Sequence, residues 1–139
     1  MSAPAPAAAG QPLHEYLRQH AREKPQATAV VWYGAAISWR ELDDWSDAVA
    51  AHLQSLGVAR GEPVALFMNN CPQYIVAHYA IQKIGATVCP CGPLNKAHEL
   101  QYQLADLQAR VIVAADNLLP IVEQVRADTA LQHVLAVRY

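Results

Sequence analysis

From Pro63 onward, short apolar runs alternate with segments of helical periodicity: Val64–Met68, Tyr74–Ile84, Thr87–Cys89, Ala97–Leu107, Val111–Ala114, Leu118–Val125 and Val134–Val137. This alternation constrains the fold more than any other feature. The segments joining consecutive strand-like runs exceed about ten residues, too long for a hairpin and long enough for a parallel crossover. The runs are almost wholly apolar, as strands covered on both faces must be. The expected class is therefore α/β, a doubly wound, mostly parallel sheet with helices on both faces. Local punctuation agrees. Gly85 is placed to stop a helix and Asn95 to start one, while Pro72 and Pro120 fall in first turns, where a missing N–H costs little.

Ahead of this region, Leu13, Tyr16, Leu17, His20 and Ala21 recur at helical spacing up to Pro25. Two strand-like runs, Ala29–Tyr33 and Ala36–Ser38, flank Gly34 and Ala35 and predict a short β-hairpin. Ser38 and Glu41 have the spacing of a capping box, with Ile37 and Leu42 as its hydrophobic staple. Trp39, Leu42, Trp45, Val49, Leu53 and Leu56 then form one apolar stripe, and Gly57 supplies the stop. Arg40, Asp43, Asp44, Asp47 and Gln54 mark a wetter side, where the paired acids Asp43 and Asp44 read as a solvated face. Burial contributes about 1.5–3 kcal/mol per large side chain against about 1 kcal/mol for a cap. Packing should thus stabilise this helix and capping set its register.

The chain has 139 residues, 53% of them hydrophobic and 16% charged, enough for one ordinary core. A formal net charge of −2, with scattered Lys and Arg, offers nucleic acid no electrostatic footprint. The charge-free stretch between Glu62 and Lys83 is interrupted by Asn69, Asn70, Pro72 and Gln73, so it is not a membrane span. The opening residues, 1–12, lack a basic region and a Leu-rich stretch and read as a flexible Ala/Pro-rich tail, making the expected location cytoplasmic. Three cysteines, Cys71, Cys89 and Cys91, argue for reduced thiols over a disulfide framework.

Tests for chemistry return structural readings. Cys89 and Cys91 are one residue apart, which matches neither the usual zinc spacing nor the redox Cys-x-x-Cys, even with Cys71 and His98 nearby. They are expected to pack at a strand end followed by a proline-rich turn. The six glycines are dispersed and form no phosphate loop. His14, His20, His52, His78, His98 and His133 lack an obvious nucleophile or acid partner, and His78 reads as a hydrogen-bonded core histidine. An open α/β sheet binds ligands beyond the carboxyl ends of its strands, here Asn69–Cys71, Pro90–Leu94 and Ala115–Asn117. Those loops are candidate pocket walls, with turns and helix caps the plainer reading. No catalytic, cofactor-binding or metal-ligating residue is assigned.

Five pieces between Ser38 and Ala114, in order and at matching spacing, resemble the adenylate-forming (AMP-binding) acyl-CoA synthetases. Trp39-Arg40-Glu41-Leu42 resembles the family's aromatic-x-Glu-Leu helix opening. Gly57-Val58-Ala59-Arg60-Gly61-Glu62-Pro63-Val64-Ala65 resembles its Gly-Val-x-x-Gly-Asp-x-Val-Ala. Asn70-Cys71-Pro72-Gln73 precedes a helix ending Lys83-Ile84-Gly85-Ala86, and Thr87-Val88-Cys89-Pro90 leads to Pro93. His98 to Leu104, with Asp106, completes the set. Cys91 and Gly92 replace the usual Leu-Asn before Pro93, and Trp39 stands where Tyr is common. The segments Cys91–Leu94 and Glu99–Leu104 look more like the fatty acyl-CoA ligase branch than peptide synthetase domains.

The resemblance covers nearly all of residues 13–139 and about the first quarter of a family enzyme. It implies a parent that uses ATP, Mg and CoA to convert a fatty acid to acyl-CoA, AMP and pyrophosphate through an acyl-adenylate. The family's phosphate loop, Tyr-Gly-x-Thr-Glu segment, ribose-binding Asp and C-terminal Lys lie downstream, so none of these roles maps here. The chain alone is expected to be inactive and residues 13–139 to be the N-terminal portion of a larger domain. Its expected partners are the remainder of the synthetase domain, a carboxylic (fatty) acid substrate in the parent and, through a sheet edge left uncovered after His133–Val137, a second copy of itself. The alternatives are a stand-alone non-catalytic α/β binding or interaction module, or an adenylation domain for another carboxylate.

Overall fold

The computed structural model describes residues 10–139; the tail expected over residues 1–12 lies mostly outside them. In chain order the elements are α1 (Leu13–Glu23), β1 (Thr28–Trp32), β2 (Ala35–Ser38), α2 (Trp39–Ser55), β3 (Pro63–Phe67), α3 (Pro72–Lys83), β4 (Thr87–Cys91), α4 (Ala97–Leu107), β5 (Val111–Ala115), a single 3-10 turn (Asp116–Leu118), α5 (Leu119–Arg126) and β6 (His133–Val137). β1 and β2 pair antiparallel, while the other four strands form a parallel sheet in the order β4-β3-β5-β6.

The apolar runs of β3 and β5 have the composition that two covered faces demand, and both strands sit at the centre of the sheet. Strand alternation divides their side chains between two cores. Val64, Leu66, Val111 and Val113 pack with Ala50, Leu53, Ala77, Ala80 and Ile81 from α2 and α3. Ala65, Phe67, Ile112 and Ala114 pack on the opposite face with Leu100, Leu104, Val122 and Val125 from α4 and α5. A third cluster joins Leu17, Ile37, Leu42 and Val76, fastening α1 and the hairpin to α2 and α3. Because β4 and β5 lie on either side of β3, the crossovers through α3 and α4 run over opposite faces, and the strand order reverses between β3 and β5.

Several local expectations shift in detail. The hairpin turn centres on Tyr33 and Gly34, both at positive φ (46° and 84°), one residue earlier than Gly34 and Ala35. Two such residues match the twist of a tight hairpin, and Tyr33 is tolerated there because its side chain is 93% exposed. α2 opens on the predicted capping box: the Glu41 N–H donates to Ser38 Oγ (3.2 Å) and the Ser38 N–H to Glu41 Oε2 (2.8 Å). Its buried face is Leu42, Ser46, Ala50 and Leu53, with Trp45 displaced to 45% exposure. Small residues on that face let α3 approach closely.

β4 runs through Pro90 to Cys91, where a proline-rich turn was expected. Proline persists in this strand because β4 is an edge. Asn95 does not cap α4. Lys96 takes that position, with its N–H donating to Glu99 Oε2 (2.8 Å), while Asn95 Nδ2 donates to Gln103 Oε1 (2.7 Å). Lys96 offers no acceptor, so only this half of a capping box forms.

Candidate functional site

The carboxyl ends of β3, β4 and β5 bring Asn69–Cys71, Gly92–Lys96 and the 3-10 turn to one end of the sheet. The residues after β6 lie across part of this end. The Asn69 N–H donates to Tyr139 Oη (3.1 Å), Gln73 Nε2 to the Arg138 carbonyl (2.7 Å), and Arg138 Nε to Asp116 Oδ2 (3.3 Å). Cys71, the N-cap of α3, is buried with its Sγ 3.9 Å from Met68 Sδ. Asn69 and Asn70 are exposed and uncharged. The end therefore supplies turn and cap geometry with two exposed cations on separate elements, Arg138 paired with Asp116 and Lys96 ahead of α4. Such a set does not fit a triphosphate, which calls for converging cationic and N–H donors. Among the described residues no group of three or more His, Cys, Asp or Glu could hold a metal ion.

A second feature is an apolar groove of about 760 Å³ on the α2/α3 face of the sheet, rimmed by Trp32, Trp45, Val49 and His52 and floored by Leu135 and Val137 of β6. Gln73 also lines it, and its buried Oε1 has no donor. The groove exists because β6 contributes apolar residues on the side where α2 and α3 do not reach far enough to cover them. Its lining carries no convergent set of charges, so it offers a ligand shape and apolar area alone.

The most elaborate polar constellation lies elsewhere and is architectural. Lys83, its side chain 2% exposed, donates from Nζ to Asp43 Oδ1 (2.6 Å), Asp47 Oδ1 (2.8 Å), Ser46 Oγ (2.8 Å) and the Asp43 carbonyl (3.1 Å). Arg18 of α1 reaches Asp47 as well (3.3 Å). The clamp joins α1, α2 and α3, and it corrects the reading of Asp43 as part of a solvated face. His14 beside it is pushed below the usual imidazole range, mainly by burial, with Arg18 and Lys83 acting in the same direction and Glu15 opposing. Sequence reasoning missed the clamp. Its only signal was Ser46, a polar residue at i+4 from Leu42 and i−4 from Ala50, on the face meeting a helix that ends in lysine.

At the opposite end of the sheet, Glu62 Oε1 accepts from Arg110 Nη2 (2.8 Å) and from the Ala59 N–H (3.2 Å), while Arg110 also reaches the Gly57 carbonyl and Gln132. Burial works to raise the Glu62 carboxyl, but Arg110 and the Ala59 N–H outweigh it and hold the group below its ordinary range. This explains an acid after Gly61: it closes the turn into β3 and ties β3 to the start of β5.

The remaining candidates divide clearly. His78 is half-buried, accepts at Nδ1 from Gln82 Nε2 (2.9 Å) when neutral, and is pushed down by burial, matching the core-histidine reading. His20 packs against Trp39, the ring centroids 4.6 Å apart and the planes tilted by 45°. His52 is exposed at the groove rim and His98 on α4. Cys89 and Cys91 point to the same face of β4. Burial raises both thiols, Cys91 to about 11 with Cys89 adding to the effect, which keeps them protonated and poorly nucleophilic. All three cysteines are free.

An open, doubly wound α/β sheet with a helix and hairpin packed on one side defines the class as α/β with a parallel sheet. The chain belongs to the family of AMP-binding enzymes, whose profile matches residues 17–138. It is 35% identical over 108 residues to a long-chain-fatty-acid–CoA ligase of Bacillus subtilis, covering 78% of this chain and 19% of that protein. A long-chain-fatty-acid–CoA ligase of Escherichia coli O6:H1 is 37% identical over 129 residues, covering 92% and 23%. The chain thus spans about a fifth of the length of these relatives. Among solved structures, the anthranilate CoA ligase AuaEII in complex with anthranoyl-AMP superposes with a TM-score of 0.88 at 25% identity, over 91% of this chain and 25% of that one.

Proposed function

We propose that this chain forms the N-terminal part of an ATP-dependent acyl-CoA ligase. In that reaction a fatty acid carboxylate attacks the α-phosphorus of ATP, releasing pyrophosphate and giving an acyl-adenylate. The CoA thiol then displaces AMP to give acyl-CoA. The observation that carries the reading is the family match over residues 17–138, joined to relatives named as long-chain-fatty-acid–CoA ligases. Residues 13–139 are the scaffold in this proposal: the buried β3 and β5 hold the sheet, and the rest of the synthetase domain supplies the groups for ATP, Mg and CoA. Residues 1–12 serve as a tail. Among the described residues no helix is long and apolar enough to cross a membrane. Cytoplasmic placement belongs to the same proposal, supported by three free thiols.

A second reading, adenylation of a different carboxylate, is favoured by the likeness to AuaEII, an anthranilate CoA ligase. Two measurements test both. The 139-residue chain alone should give no ATP–pyrophosphate exchange with any acid, and robust exchange would overturn the scaffold role. A chimera carrying these residues in place of the matching segment of the Bacillus subtilis ligase should turn over long-chain fatty acids. A folded chimera inert toward fatty acids but active on aromatic acids would favour the second reading.

A further inference from the structure

We draw no further inference here: the strongest candidate, the apolar groove between α2, α3 and β6, is an unpartnered apolar face, and nothing in the structure shows what covers it.

Discussion

Lys83 shows how one residue can hold three helices. Its ammonium sits among two carboxylates, a hydroxyl and a carbonyl with almost no access to water. A buried charge is tolerable only when its hydrogen-bonding capacity is met, and removing one partner strands the others. Lys83→Met keeps most of the volume but leaves Asp43 facing Asp47 across Ser46. Because Asp47 is half exposed and Asp43 partly so, the cost should fall toward the low end for a broken buried pair, about 2–4 kcal/mol by urea denaturation. A loss under about 0.5 kcal/mol would show that water enters freely and the clamp is ornamental. Glu62 makes a different, pH-dependent contribution. Its folded carboxyl lies below the ordinary value, so the stabilisation is complete above the unfolded carboxylate range and is lost as pH falls through the folded value. Melting temperatures of the wild type and Glu62→Gln should therefore converge in acid and separate near neutrality. Parallel curves across that range would remove Glu62 from the account.

Among the elements, α2 was the most legible in the sequence, and its capping box is present as read. The Ser38 hydroxyl and Glu41 carboxylate satisfy donors that an uncapped first turn would leave to water. Ser38→Ala should destabilise the chain by about 1 kcal/mol, seen as a lower urea midpoint at unchanged slope. An unaltered midpoint would mean that Pro25 and Ala27, whose carbonyls accept from the Arg40 and Trp39 N–H groups, fix the helix start unaided. The burial face of α2 was less legible for an identifiable reason. Apolar periodicity weighs side chains by hydrophobicity, so Trp45 was counted in the buried stripe and Ser46 was not, whereas close packing against α3 selected the small residue whose hydroxyl also meets Lys83. The extra length of β4 escaped for a related reason: a proline reads as a strand terminator until the strand's place at a sheet edge is known.

At the scale of the whole molecule, the α/β class and the covering of both sheet faces were legible because they depend on connection lengths and apolar runs, which are local counts. The strand order was not, since parallel neighbours are separated by whole crossovers and nothing in the runs says which side of β3 each will join. The candidate site was the least legible part, because a groove is made by what α2, α3 and β6 leave uncovered. The same topology predicts where stability concentrates. Phe67 is fully buried on a central strand, packed under α4 and α5 beside Ile112, Ala114, Leu100 and Leu104. Removing its ring takes contacts from both neighbouring strands and from two helices, in a sheet whose central position leaves little room to collapse around the void. Phe67→Ala should cost about 3–5 kcal/mol, a large share of the roughly 5–15 kcal/mol that holds such a domain together. The chain should then be partly unfolded at physiological temperature by circular dichroism, while Phe67→Leu should remain folded. Near-equal melting of the two variants would mean that the α4/α5 face is loosely packed, and that the fold rests chiefly on the α2/α3 face with its lysine clamp.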